Sequence, residues 1–297
     1  MRYPVEVGLV GDSRDTLSVL VPLLQRNSNR KFLEKAQEDM KEWWKIMEQR
    51  STRRDKPMKP QVVAWELGKR LPNNAITTCD SGTITTWWAR HIPARRGQMH
   101  SLSGNLATMA CGLPYALAAQ VAHPDRPVIA FVGDGGFSML MADFVTAVKY
   151  QLPIKVVIIK NNVLGQIKWE QMVFLGNPEF GVQLHPIDFA EFAHACGGVG
   201  FTVEDPAECG TIIEQFLAAP GPAVLQAVVD QLEPPLPGKI TADQALHFGQ
   251  RRTQPRQDRS DRSLGKSQRA DLAEARIQPA QKWRLSFEVR FQSLSLV

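Results

Sequence analysis

Between residues 60 and 237, short uninterrupted apolar runs alternate with stretches of helical character. "AITTCD" (75–80), "PVIAFVGD" (127–134), "IKVVIIKNN" (154–162), "GFTVED" (200–205) and "PAVLQAVVD" (222–230) read as strands. "GLPYALAAQVAH" (112–123), "ADFVTAVKYQ" (142–151), "PIDFAEFAHACG" (186–197) and "AECGTIIEQFLAA" (207–219) read as helices. Val/Ile runs unbroken by polar residues belong to strands covered on both faces. Their alternation with helices predicts a doubly wound, mostly parallel α/β sheet with helices on both sides. Residues 4–26 predict one strand, a turn and an amphipathic helix, a unit that cannot bury its faces alone. Residues 30–58 are a charged helical stretch that runs into a basic, Pro-containing linker. From about Gln250 the chain has few apolar residues and no period, which reads as disorder or as a shifted reading frame.

Charge changes this picture only in its location. The net charge is +5, but residues 250–297 carry 11 Lys or Arg against 5 Asp or Glu, a net +6, which leaves residues 1–249 at −1. The predicted globular part thus has no basic field for phosphate backbones, and no nucleic-acid partner is expected. No apolar run reaches the roughly 18 residues of a spanning helix, and "MRYPVEVGLVGD" lacks the layout of a signal peptide. A cytoplasmic location without a transmembrane segment is expected. Cys79, Cys111, Cys196 and Cys209 show no paired or zinc-type spacing and read as small buried hydrophobes. His194 lies in a short helix that Asp188 should cap and Gly197 should stop, and reads as a surface or satisfied histidine rather than a ligand.

The candidate chemistry sits in "VIAFVGDGGFSM" (128–139), where a buried strand ends on an acid among glycines. In open α/β sheets, ligands bind beyond the carboxyl ends of the strands. Gly133, Gly135 and Gly136 let backbone N–H groups approach a ligand closely, and the following helix start favours a phosphate. Asp134 beside a phosphate calls for a cation between them, and Mg²⁺ suits carboxylate, amide, carbonyl and phosphate oxygens. "GLVGDS" (8–13) has no second glycine and reads as a structural turn. One crossover later, "IKVVIIKNN" ends in two amides, Asn161 and Asn162.

Gly-Asp-Gly followed at this distance by Asn resembles the cofactor motif of thiamine-diphosphate-dependent enzymes. The likeness extends over "TTCDSGTITTWWARH", "SGNLATMACGLPYALAAQ", "VIAFVGDGGFSMLMADFVTAVKYQLPIKVVIIKNNVLGQIKWEQ" and "FGVQLHPIDFAEFAHACGG". It points to the pyruvate oxidase and quinone-linked pyruvate dehydrogenase branch, close to the acetolactate synthases, over residues 3 to about 248. The resemblance implies thiamine diphosphate held through Mg²⁺ by Asp134, Asn161 and the Val163 carbonyl. Asn161 is the matching amide because it lies 27 residues after Asp134 and four before Gly165. Lys160 stands where many relatives have the first Asn of a pair, a departure that leaves the ligand in place. By the same resemblance Gly82 and Thr83 touch the diphosphate, Met109 pushes between the cofactor rings, and Val163, Leu164 and Gly165 complete the cofactor loop. Ile167 and Glu170 match positions that line the substrate pocket, and Glu170 reads either as a group that handles substrate protons or as a solvated helix residue.

The implied reaction is carbanion chemistry on a small-molecule 2-oxo acid, pyruvate by family likeness, with the cofactor as electron sink. In the oxidase branch the electrons pass to FAD, whose site is not expected within this chain. Residues 1–27 then match the end of a middle, FAD-type domain. Residues 28–59 are a charged helical linker, residues 60–238 the thiamine-diphosphate and Mg²⁺ domain, and residues 239–297 a tail. The glutamate that activates the cofactor in such enzymes comes from a pyrimidine-binding domain of a neighbouring subunit or partner chain, within a homo-oligomer. Three readings stay open: a C-terminal portion of an oxidase-like enzyme or of an acetolactate-synthase-like carboligase, one subunit of a split enzyme, or a non-catalytic remnant. Little or no turnover is expected of this chain alone.

Overall fold

The computed structural model describes residues 4–235; the expectations for the tail lie outside them. Six strands form one sheet: β1 (Ile76–Cys79), β2 (Met99–Leu102), β3 (Val128–Gly133), β4 (Lys155–Lys160), β5 (Val199–Val203) and β6 (Ala223–Val228). Their spatial order is β2-β1-β3-β4-β6-β5, and every neighbouring pair is parallel. Side chains of successive strand residues point to opposite faces, and the core divides accordingly. Ile129, Phe131, Val157, Ile159 and Leu225 enter one cluster, while Val128, Ala130, Val132, Val156, Ile158 and Val224 enter the other.

Helices cover both clusters. On the first lie α3 (Pro60–Arg70), α4 (Thr83–His91) and α10 (Cys209–Ala218), contributing Val62, Leu67, Trp87, Trp88, Ile213 and Phe216. On the second lie α5 (Gly112–Ala122), α6 (Asp134–Leu140), α7 (Asp143–Lys149) and α9 (Phe189–Ala195), contributing Leu113, Phe137, Phe144 and Phe189. Asp188 caps α9 by accepting from the N–H groups of Ala190 and Glu191, and Gly197 ends it at φ 86°, as the sequence predicts. His194 is exposed. All four cysteines are free; Cys79, Cys111 and Cys209 are buried and Cys196 is half-buried.

The predicted first βα unit is half right. A helix, α1 (Ser13–Leu20), forms and is capped by Asp12, so "GLVGDS" supplies a bend at Gly11 and the helix start rather than a separate turn. Residues 4–10 form no strand and are exposed throughout. A strand needs a neighbour for its N–H and C=O groups, and these residues pair with no described strand. The charged stretch forms α2 (Lys31–Ser51), exposed except near its end, where Met47 and Ser51 are buried. Ser51 Oγ meets His91 Nδ1 of α4 at 2.9 Å, which joins α2 to the sheet layers.

His91 is 3% exposed. Burial, with help from Arg90 and Arg50, lowers its pKa from 6.5 to about 4. Between those values the unfolded chain binds a proton that the folded chain refuses, so stability falls as pH drops through this window. The paired substitution Ser51→Ala/His91→Leu removes the effect. Urea unfolding at pH 7 and pH 4.5 is expected to show an acid-induced loss smaller than wild type by about 2 kcal/mol; an equal loss would place the acid sensitivity elsewhere.

Candidate functional site

The chain leaves β1 for β2 on one side, then passes back beyond β1 to β3, whose own crossover leads to β4 on the other side. The winding reverses between β1 and β3, and that reversal opens a crevice at their carboxyl ends. A cavity of about 300 Å³ lies there.

Asp134 opens α6 at the end of β3 and is 5% exposed. Its Oδ1 accepts from the N–H of Gly135 at 2.8 Å. Its Oδ2 accepts from the N–H groups of Asn161 at 3.0 Å and Asn162 at 2.5 Å. The carboxylate therefore binds the end of β3 to the end of β4, whose register sets Gly133 beside Ile159. Burial raises the Asp134 pKa, against the pull of the three N–H groups that favour the charged form.

The two asparagines divide the turn between them. Asn161 Oδ1 accepts from the Val163 N–H at 3.1 Å, an Asx turn that shapes the segment after β4. Asn162 supplies a left-handed residue, φ 54°, which Asn tolerates better than most side chains. Val163 and Gln183 then form an isolated antiparallel bridge, and α8 (Gly165–Trp169) begins over the cavity.

Every expected site residue but one meets at this cavity. Its wall contains Gly82, Thr83, Met109, Gly133, Asp134, Gly135, Gly136, Asn161, Val163, Leu164, Gly165 and Ile167. Met109 lies over Gly135: a Cβ there would be 3.6 Å from Met109 Cε and 3.0 Å from Leu164 Cδ2. A Cβ on Gly165 would meet Thr83 Oγ1 at 3.0 Å, so these glycines allow three loops to close on one space. Glu170 is the exception. It begins a π-helical turn, Glu170–Phe174, outside the wall, and its Oε1 accepts from Gln166 Nε2 at 2.9 Å. A place for it in the pocket lining is thus not observed.

Sequence reasoning passed over Asp80, Ser81, Trp87, Ala107 and Gln166, which also line the cavity. Asp80 carried part of the signal already used for Asp134, since it too follows a predicted strand and stands two residues before a glycine. Its side chain is buried at 1% exposure.

As a metal-binding set, Asp134, the Asn161 amide and the Val163 carbonyl offer hard oxygen donors of the kind Mg²⁺ takes. The Asp134 carboxylate has about four lone-pair sites, of which the three N–H groups use three. Among the described residues, no three His, Cys, Asp or Glu gather as a metal site. A cation here would accordingly draw further ligands from a bound molecule, as a diphosphate supplies them.

Comparison with known proteins agrees with this geometry. Residues 80–227 match the family described as "Thiamine pyrophosphate enzyme, C-terminal TPP binding domain". The chain therefore carries the C-terminal, thiamine-pyrophosphate-binding domain of that family. It is similar to YdaP of Bacillus subtilis, a protein named as thiamine pyrophosphate-containing, with 43% identity over 247 residues, 83% of this chain and 43% of the relative. The large subunit of acetolactate synthase isozyme 3 of Escherichia coli is 30% identical over 220 residues, 71% of this chain and 38% of the relative. The pyruvate oxidase of Lactiplantibacillus plantarum is 28% identical over 247 residues, 82% of this chain and 41% of the relative. The chain thus spans about two-fifths of the length of these curated relatives.

Gly82 caps α4 at φ 126° and ψ −159°. A Cβ at Gly82 or at Gly104 would meet nothing within 4 Å, but only Gly82 has left-handed backbone. Gly82→Ala is expected to destabilise by about 1–3 kcal/mol through backbone strain alone, and Gly104→Ala to stay within about 0.5 kcal/mol of wild type. Denaturant titration of both checks this; equal costs would refute the strain argument.

Proposed function

We propose that this chain forms the thiamine-diphosphate- and Mg²⁺-binding portion of an enzyme that oxidatively decarboxylates a 2-oxo acid, pyruvate in the simplest case. The observation that carries the reading is the Asp134 carboxylate. It joins the ends of β3 and β4 on the wall of a cavity that Met109 overhangs. In this reading Asp134, the Asn161 amide and the Val163 carbonyl hold the cation. The loops at Gly82–Thr83 and Gly133–Gly136 receive the diphosphate, and Met109 shapes the space for the rings. When bound, thiamine diphosphate supplies the electron sink that lets a 2-oxo acid lose CO₂.

The chain's own contribution is placement. The Asp134 bonds fix the turn after β4, and the apolar side chains of Met109, Ile84, Leu164 and Ile167 limit water at the wall. The rest of the active site, including a glutamate toward the cofactor, comes from a pyrimidine-binding domain of a neighbouring subunit within a homo-oligomer. In an oxidase the electrons then go to FAD bound outside this chain. Likeness to a pyruvate oxidase supports the oxidative branch. Likeness to acetolactate synthases supports a second reading, a carboligase, and product analysis of the assembled enzyme with pyruvate separates the two. No described helix is long and apolar enough to cross a membrane. The free, mostly buried cysteines support a reducing, cytoplasmic setting.

Calorimetric titration of the 297-residue chain tests the binding reading. Thiamine diphosphate is expected to bind in the presence of Mg²⁺ and at least tenfold more weakly with Asp134→Asn or Asn161→Ala. Affinity indifferent to Mg²⁺ and to both substitutions would reject it.

A further inference from the structure

We propose that Asp80 is the positioning residue of this cavity, a single buried carboxylate that sets the Met109 segment and the Gly133–Gly136 turn in register. Its Oδ1 accepts from the N–H of Gly112, the first residue of α5, at 2.7 Å. No side chain of α5's own leading segment caps that helix, so the end of β1 does so from across the crevice. The N–H groups of Ala110 and Gly133 also face the carboxylate closely enough to favour its charged form. Its Oδ2 nevertheless makes no hydrogen bond of normal geometry. That oxygen is seated where Gly136 has no side chain: a Cβ on Gly136 would fall 2.0 Å from it. A Cβ on Gly112 would lie 3.0 Å from Oδ1. Two glycines on two helices thus leave room for one carboxylate.

A capping acid with no further task would touch α5 alone. Asp80 instead reaches two backbone segments, Ala110–Gly112 and Gly133–Gly136, and each carries or adjoins residues of the cavity wall. Ala110 follows Met109, while Gly133 and Gly136 bracket Asp134 and Gly135. Ala110 itself holds φ 63°, a conformation that a residue with a Cβ keeps only when its surroundings enforce it. Asp80 is 1% exposed and lines the cavity, and its hydrogen bond to Gly112 and its seat against Gly136 tie it to these segments.

Asp80→Asn in the 297-residue chain tests this. The amide keeps an oxygen for Gly112 but sets an NH₂ where the carboxylate faced N–H groups. Amide hydrogen exchange without any ligand is expected to quicken at least tenfold in residues 108–113 and 133–137 together, with β6 and α10 unchanged. Gly136→Ala, which attacks the same contact from its other side, should give the same paired pattern should Asp80→Asn fail to fold. Change confined to Gly112 would reduce Asp80 to a helix cap. Uniform quickening across the sheet in both variants would reduce it to a general stability residue. The binding consequence rests on the cofactor reading above: affinity for thiamine diphosphate with Mg²⁺ should fall at least tenfold in either variant. Wild type that fails to bind this pair defeats the cofactor reading, and the exchange pattern still decides the role of Asp80. Wild type that binds while both variants bind equally well defeats the role of Asp80.

Discussion

A parallel sheet covered by helices on both faces has almost nowhere to keep polar side chains except at its strand ends. In this chain β3, β4 and β6 are buried along nearly their whole length, and an acid placed mid-strand among them would lack both water and N–H partners. The carboxyl ends differ, because the N–H groups of following helices and loops point there. Asp80 at the end of β1 and Asp134 at the end of β3 both occupy this zone, on neighbouring strands where the winding reverses. The architecture that excludes acids from the sheet therefore concentrates them at one crevice, where backbone N–H groups solvate them.

The central fold was legible because central strands of such a sheet advertise themselves. Runs like "VIAFV" and "VVII" admit no polar residue, and the structure puts strands there. The elements that escaped notice lack that signature. The edge strand β2, "MHSL", alternates exposed and half-buried positions and carries no β-branched residue. The helix α4, "TITTWWARH", is built from β-branched and aromatic residues that favour strands on intrinsic grounds, and its burial of Ile84, Trp87 and Trp88 overrides that preference. The opposite error occurred at residues 4–10. Their apolar alternation suits a strand, but strand formation is decided by a neighbour that the described residues do not provide.

The candidate site was legible where its residues share a motif and illegible where they share only space. Asp134 and Asn161 stand at a fixed spacing after two successive core strands, and the spacing becomes a direct contact, Asn161 N–H to Asp134 Oδ2. Asp80 offered part of the same local pattern, yet its meaning lies in Gly112 and Gly136, 32 and 56 residues further on, and no local period links the three. Glu170 shows the converse. A motif position suggested a pocket residue, but Glu170 begins a π-helical turn just outside the wall, and its carboxylate accepts from the wall residue Gln166.

Backbone strain ties the two acids to one design. Three of the four non-glycine residues with positive φ among the described residues, Ala107, Ala110 and Asn162, belong to loops around the cavity. Such conformations cost on the order of 1–3 kcal/mol each and need an opposing gain. At Asn162 the gain is visible: its N–H donates to Asp134 Oδ2 at 2.5 Å. At Ala110 the N–H faces Asp80. At Asn162 such a charge-assisted hydrogen bond from a backbone N–H to a buried carboxylate is worth about 1.5–3 kcal/mol, the same order as the strain it opposes. Burial raises the pKa of both acids, that of Asp80 to about 6, so the carboxylates in turn depend on those N–H groups to remain charged. Strained loop and buried acid each lower the cost of the other. Two acids at the ends of neighbouring strands thereby hold three loops in a conformation that neither helix propensity nor hydrophobic contact would select.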